Sequence, residues 1–108
     1  MPPEDAFLRD FLASAALSLA LKSGLVDKLT LGPQSLATLA ANARLDFRGV
    51  ELLAGLLQSG NVVTVSDGTV ELTPAFVAVL PRRAALEQKL AFLDLAARDV
   101  LDRLPAML

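Results

Sequence analysis

The chain has 108 residues, of which 54% are hydrophobic, its mean hydropathy is +0.52, and its formal net charge is −2. It contains no cysteine and no histidine, so disulfide bonds, thiolate metal sites and a histidine base are excluded. The length fits one domain, residues 1–108, and the apolar content exceeds what the surface of a small monomer normally carries. This excess must be covered by a membrane, a partner chain or a further domain.

The most apolar stretch, residues 11–21, is too short to cross a membrane. As a helix it would reach about 17 Å, whereas the hydrocarbon core of a bilayer is about 30 Å thick. Arg9, Asp10 and Lys22 flank this stretch, and the chain begins with acidic residues where a signal peptide would be basic. We therefore expect a cytoplasmic protein without membrane association.

The first predicted helix spans residues 4–22 and ends before Gly24. A helix that is apolar on most of its circumference is buried on most of its circumference. Such a helix lies either in the core of one chain or between two subunits, and both possibilities remain open here. Its apolar residues recur at spacings of three and four and also occupy other faces: Phe7, Leu8, Phe11, Leu12, Ala15, Ala16, Leu17, Leu19 and Leu21.

Three helices follow, and the last two are arranged as in a helix-turn-helix. A Gly-Pro turn separates the first from the second, and N-cap residues precede the second and third. Gly60 is expected to end the third in a left-handed conformation. The predicted ranges are residues 25–30, residues 35–42 with Ser35 as the cap, and residues 46–59 with Asp46 as the cap.

A β-hairpin and two more helices complete the predicted elements. Two β-branched runs flank Asp67-Gly68, which is a strong hairpin signal, and Thr73 and Pro74 begin the next helix. The predicted ranges are residues 62–65 and 69–72 for the strands, and 74–80 and 82–103 for the helices, with Pro105 ending the last. This order predicts a mainly α fold with one small β-hairpin: a winged helix-turn-helix flanked by N- and C-terminal dimerisation helices.

No group of residues predicts a catalytic, cofactor-binding or metal site in this chain. No glycine-rich phosphate loop follows a strand, and a nucleophilic triad has no histidine base. The carboxylates have structural explanations instead. Asp46 and Asp67 fit a cap and a turn, and Asp94 fits an i,i+4 pair with Arg98 on a solvated helix face.

A winged helix often binds DNA, but the charges of this one are unfavourable for that role. Within residues 32–74 the cations are Arg44 and Arg48, against four acids, and the hairpin contains no Lys or Arg. Contacts between cations and phosphates dominate the affinity of proteins for DNA. A transcriptional regulator that contacts DNA through Arg44 and Arg48 is therefore the alternative hypothesis, and protein contact is the leading one.

The excess apolar surface is expected on the first and last helices, outside residues 32–74, which we call the winged unit. Such a surface is typical of an interaction site. An intertwined two-fold homodimer would cover it. A ligand-binding or partner-inhibiting protein with an apolar groove between protomers is a third hypothesis. The expected interface residues are Phe7, Leu8, Phe11, Leu12, Ala15, Leu19, Leu90, Leu93, Ala97 and Leu101.

The order of these motifs resembles the N-terminal dimerisation domain of the class I S-adenosylmethionine-dependent O-methyltransferases that act on small molecules. The resemblance covers nearly the whole chain and rests on order and spacing, since each motif alone is a cap, turn or core position. After an apolar helix, the motifs are Gly24-Leu25-Val26-Asp27-Lys28-Leu29, Gly32-Pro33, Leu39-Ala40-Ala41, Leu45-Asp46, Leu52-Leu53, Ser59-Gly60 and Leu72-Thr73-Pro74-Ala75-Phe76.

The resemblance implies an inactive module that interlocks with its two-fold mate and can form part of the wall of the partner's substrate pocket. In such enzymes a following Rossmann-like domain binds S-adenosylmethionine and holds the catalytic base, and no residue here matches those elements. The sequence ends at Leu108. We therefore expect either a part of a longer enzyme or a free-standing association domain with a separate catalytic chain, and S-adenosylmethionine only if a catalytic domain follows.

Overall fold

The computed structural model describes the backbone of residues 2–8 and 11–107, and the side chains of these residues except 11, 43 and 96–107. Six α-helices, three short strands and two 3-10 helices lie in this part of the chain. The helices are α1 (Phe11–Lys22), α2 (Leu25–Leu29), α3 (Leu36–Ala43), α4 (Phe47–Ser59), α5 (Pro74–Val77) and α6 (Arg83–Met107). The strands are β1 (Gln34–Ser35), β2 (Val63–Ser66) and β3 (Thr69–Leu72), and the 3-10 helices are Pro3–Phe7 and Leu80–Arg82.

The fold is mainly α with a small antiparallel sheet, as the sequence predicted, and it is compatible with a winged-helix-like architecture. Strands β2 and β3 form the expected hairpin, in which Val63 is opposite Leu72 and Ser66 is opposite Thr69. The turn residues Asp67 and Gly68 have φ values of 50° and 75°, which match the right-handed twist of the flanking strands.

A third strand, β1, was not predicted. It pairs antiparallel with β3, so the sheet order is β1-β3-β2, and the amide of Leu36 donates to the carbonyl of Gly68 over 2.9 Å. Two residues are too few for an alternation of apolar and polar side chains, which is the usual sequence signal for a strand. The strand exists because the start of α3 is held beside the hairpin.

The three predicted N-caps are present, and each side-chain oxygen accepts a hydrogen bond from an amide three residues later. These bonds satisfy amides that have no partner within the helix, which fixes where each helix begins. The pairs are Ser35 with Thr38 at 3.1 Å, Asp46 with Gly49 at 3.0 Å, and Thr73 with Phe76 at 3.1 Å.

The expected left-handed conformation of Gly60 is wrong. Its φ is −85°, and the left-handed residue is its neighbour Asn61, with a φ of 62°. Asparagine tolerates this conformation better than most residues. Glycine at position 60 instead allows the end of α4 to approach α1, since a Cβ there would lie 3.0 Å from the Cβ of Ala13.

The prediction of one continuous helix over residues 4–22 is also wrong. A 3-10 helix occupies Pro3–Phe7, Leu8 leaves helical geometry with φ −114° and ψ 11°, and α1 begins at Phe11. Two long-range contacts account for the separate segment. Phe7 packs edge-on against Phe76 with ring centroids 5.1 Å apart, and Glu4 binds Arg82. Arg9 and Asp10 lie outside the described residues.

The last elements differ from the predicted ranges of 74–80 and 82–103. Helix α5 ends at Val77, a 3-10 helix covers Leu80–Arg82, and α6 continues past Pro105 to Met107. Pro81 occupies the second position of the 3-10 helix, where a missing amide is tolerated. Pro105 lacks its own donor, but the donors of the residues after it remain, so it does not end the helix where predicted.

The core lies between α1, the winged unit and the first turns of α6. Helix α1 packs against α4 on one side and against α2 and α6 on the others. The large apolar side chains with the lowest exposure come from all six helices and from residues in or next to the hairpin strands. They are Leu17, Val26, Leu39, Val50, Leu57, Val62, Val63, Val70, Phe76 and Leu86. These contacts fix the position of α6 relative to α1, and the surface described below depends on that position.

Replacing Asp46 by alanine should lower the free energy of unfolding by about 1 kcal/mol, because the amide of Gly49 loses its cap. Urea denaturation followed by circular dichroism measures this change. The Asp46→Asn variant is the matched control, since asparagine caps about as well as aspartate. Equal losses in both variants would contradict a capping role.

Candidate dimer surface

Helix α1 presents an exposed apolar face on the side opposite its core contacts. Leu12, Ala15 and Leu19 follow one another at spacings of three and four, so they share this face. Leu12 is 61% exposed and Leu19 is 48% exposed, whereas Leu17 and Ala20 on the inner face are fully buried. The helix is therefore apolar on both faces, although the fold of this chain covers one of them alone.

Helix α6 presents a second exposed apolar face. Phe92 is 71% exposed and Leu95 is 66% exposed, and they are one helical turn apart. Leu93, at 37%, lies at the edge of this face. Large apolar side chains at neighbouring exposed positions mark an interaction surface more strongly than isolated ones. Phe92 and Leu95 were not among the expected interface residues.

The expected interface residues fall into three groups by exposure, and a fourth group lies outside the described side chains. Phe7 and Leu90 are 6% and 3% exposed, because they pack into the core of their own chain, so they do not belong to the exposed surface. Leu8 is half-buried. The exposed members are Leu12, Ala15, Leu19 and Leu93, and the side chains of Phe11, Ala97 and Leu101 lie outside the described residues.

An open apolar groove of about 360 Å³ lies beside Phe92. Leu8 forms one wall and α6 the other, so the groove exists because the N-terminal segment lies against α6. Its lining is mainly apolar with a single cation among the described residues: Leu8, Gln88, Lys89, Phe92 and Leu93.

A second cavity, of about 230 Å³, lies between α1 and the other side of α6. It is lined by Ser18, Leu21, Lys22, Glu87, Leu90 and Ala91.

Asp94 connects α6 to α1, where the sequence predicted a pair with Arg98. Its Oδ2 accepts from the hydroxyl of Ser18 and from the ammonium of Lys22, each at 3.2 Å. The side chain of Arg98 lies outside the described residues. These polar contacts help to fix the position of α6 relative to α1.

The most buried charge in the described chain is Glu4, whose side chain is 1% exposed. Arg82 donates to both of its oxygens, through Nε at 2.8 Å and Nη2 at 3.1 Å, and Lys89 donates to Oε1 at 3.3 Å. Lys89 also binds Asp5 at 2.6 Å. We call Glu4, Asp5, Arg82 and Lys89 the N-terminal ion cluster. The sequence did not predict it, because its two acids and its two cations are far apart in the chain.

The contacts within the cluster shift the pKa of Glu4, Arg82 and Lys89 in the direction that favours their charged forms. The hydrogen bonds from Arg82 lower the pKa of Glu4 from 4.5 to about 2, against the opposing effect of burial. Glu4 in turn raises the pKa of Arg82, and the bond to Asp5 raises the pKa of Lys89. Glu4, Arg82 and Lys89 are therefore ionised near neutral pH.

A second group of ion pairs surrounds Arg83 at the start of α6. Arg83 pairs with Asp27 of α2 and donates from Nε to Glu87 at 2.8 Å, in an i,i+4 pair. The bond from Arg83 lowers the pKa of Asp27. Both acids are about half exposed, at 56% and 48%, so this group resembles an ordinary surface ion pair more than the buried Glu4 does.

The stability of the chain should fall in acid as Glu4 is protonated. A depressed folded pKa contributes stability that is complete above the ordinary value of 4.5 and is lost as the pH falls to about 2. Urea unfolding between these pH values should therefore show a steeper loss for the unchanged chain than for Glu4→Gln. The matched control is Glu71→Gln, an exposed position on β3 that should keep the steep loss. Parallel curves for the chain and Glu4→Gln would contradict the assignment.

The predicted DNA-contact residues are exposed but do not form a basic surface. Arg44 ends α3 in a left-handed conformation, and Arg48 lies in the first turn of α4. The exposed residues beside Arg48 on α4 include Phe47, at 49%, and Leu52, at 68%, together with the acid Glu51. With Arg48 as its one cation, α4 offers few of the phosphate contacts on which DNA binding depends.

We expect the chain not to shift duplex DNA in a gel assay at low salt, because the α3–α4 surface has few cations. A winged-helix regulator of similar size is the positive control. A shift that weakens with added salt, and weakens again in Arg48→Ala, would support the alternative hypothesis of a DNA-binding regulator.

Among the described residues, no helix has the length and apolarity needed to cross a bilayer. Within the same residues no group of three acidic, histidine or cysteine side chains could hold a metal ion.

Comparisons with known proteins show a shared fold and no relative in sequence. No family model matches the chain, and no curated protein does. The structure is similar to the crystal structure of the apo form of SibL, an S-adenosylmethionine-dependent methyltransferase, with a TM-score of 0.65 at 22% sequence identity. The match covers 95% of this chain and 30% of the SibL chain. Nearly the whole of this chain thus has the fold of a part of that enzyme.

Proposed function

We propose that this chain is a homodimerisation module that belongs to, or is related to, a small-molecule S-adenosylmethionine-dependent O-methyltransferase. The observation that carries the proposal is the pair of exposed apolar faces on α1 and α6. Leu12, Leu19, Phe92 and Leu95 are each between 48% and 71% exposed, on two helices that pack side by side. Covering such a face removes apolar surface from water, at about 25 cal/mol per Å².

The total surface area also supports association. The chain exposes 6762 Å², whereas a folded monomer of 11.4 kDa exposes about 5,800 Å². The difference of about 1,000 Å² is close to the area of about 800 Å² that each partner contributes to a standard interface.

The link to methyl transfer is supported by the likeness to SibL and by the order of motifs in the sequence. This chain spans 30% of the length of that methyltransferase. In the proposed arrangement the module provides association, and a further catalytic domain or a separate catalytic chain binds S-adenosylmethionine and performs the reaction. The homodimer would then bring two catalytic units together.

A charged residue on the exposed face of α1 should dissociate the dimer without unfolding the chain. We expect the unchanged chain to have the mass of a dimer in light scattering at micromolar concentration, and Leu12→Glu and Leu19→Glu to have the mass of a monomer. The matched control is Leu31→Glu, because Leu31 is 78% exposed in the turn after α2, away from this face. Circular dichroism checks that each variant remains folded.

A monomeric mass for the unchanged chain across this concentration range would contradict the proposed function. A dimeric mass for both α1 variants would place the interface elsewhere on the chain. A loss of the dimer in Leu31→Glu as well would show that any added charge prevents association, and that outcome would also contradict the assignment of the α1 face.

A further inference from the structure

The N-terminal ion cluster holds a short segment in a position that local propensity alone would not give it. Glu4 is 1% exposed, and an ion taken out of water costs several kcal/mol unless its partners compensate. Arg82 compensates with a two-point contact, and Lys89 adds a third hydrogen bond. Such paired contacts fix orientation as well as distance. The cluster therefore sets where the 3-10 helix Pro3–Phe7 lies against α6.

The position of this segment in turn determines the groove beside Phe92. Leu8 immediately follows the 3-10 helix and forms one wall of the groove. Lys89 belongs to both structures, because its ammonium binds Glu4 and Asp5 while its side chain lines the groove. A displacement of the segment would move Leu8 and change the shape of the groove. The ion cluster and the exposed apolar surface are therefore mechanically connected.

Phe92 lines the groove and also protrudes from it into solvent. A two-fold interface uses the same patch on both subunits, so the patch must contain both a protruding group and a hollow that receives it. Phe92 protrudes, with 71% of its surface exposed, and the groove of about 360 Å³ is adjacent to it. A phenyl ring is an apolar group that such a groove can enclose.

We propose that the N-terminal ion cluster positions Leu8 so that the groove receives Phe92 from a second copy of the chain. Arg82 and Glu4 are then positioning residues for dimerisation, although neither belongs to the apolar surface itself. The proposal rests on the proposed homodimer, and it adds that the ion cluster affects how tightly the two copies bind. Disruption of the cluster weakens the dimer through Leu8, while the core around α1 and α4 stays intact.

The test compares two adjacent arginines in the full chain. Arg82→Ala removes the main partner of Glu4, whereas Arg83→Ala removes ion pairs of similar geometry to Asp27 and Glu87, away from the groove lining. We expect sedimentation equilibrium to show that Arg82→Ala raises the dimer Kd by about tenfold or more, equivalent to about 1.4 kcal/mol. Arg83→Ala should leave the Kd within about threefold. Circular dichroism at the same temperature confirms that both variants are folded.

A double-mutant cycle separates a positioning role from general destabilisation. Phe92→Ala removes both the ring that the groove would receive and one lining residue of the groove, so Arg82→Ala should raise the Kd much less in this background than in the unchanged chain. An equal rise in both backgrounds would overturn the proposal. Should Arg82→Ala fail to fold, Leu8→Ala replaces it in the same cycle, since this variant changes the groove wall and leaves the ion cluster in place.

The outcomes distinguish this proposal from the proposed function. A monomeric unchanged chain would overturn both. A dimer that is lost in Leu12→Glu but keeps its Kd in Arg82→Ala and Leu8→Ala would overturn the positioning role alone. A raised Kd in Arg82→Ala that depends on Phe92, with Arg83→Ala unchanged, is the result that supports it.

Discussion

The packing of α1 against both α4 and α6 is the contact on which the rest of the structure depends. Leu17 and Ala20 are fully buried on its inner side, and the glycine at position 60 lets the end of α4 approach Ala13. The winged unit is thereby joined to the last helix. Since α1 is apolar on nearly every face, the same helix completes the core and leaves Leu12 and Leu19 on the surface.

The fold of α3, α4 and the hairpin is compatible with the shape of a DNA-binding winged helix, but its exposed surface carries few cations. Its helices begin at well-formed caps, and its hairpin closes through a left-handed pair of turn residues. Arg48 on α4 is accompanied by exposed apolar side chains and by Glu51. Shape alone is therefore a poor guide to the partner of a winged helix, because phosphate binding depends on charge.

The ion pairs of this chain mainly fix the positions of its segments relative to one another. The two-point contact between Arg82 and Glu4 keeps a carboxylate ionised in a place that water does not reach. Asp94 holds α6 to α1 through Ser18 and Lys22. Ionic contacts of this kind provide orientation, and in the proposed dimer the apolar faces would provide the free energy of association.

The sequence by itself determined the local features: three N-caps, the Asp-Gly hairpin, the order of helices and the absence of histidine and cysteine chemistry. These follow from interactions between residues close in the chain. Tertiary structure decided which apolar residues are core and which are surface, since Phe7 and Leu90 turned inward and Phe92 and Leu95 outward. It also decided the burial of Glu4 and the pairing of β1. Such features depend on partners far apart in sequence, and a helix with apolar residues on every face does not indicate which face its own chain will cover.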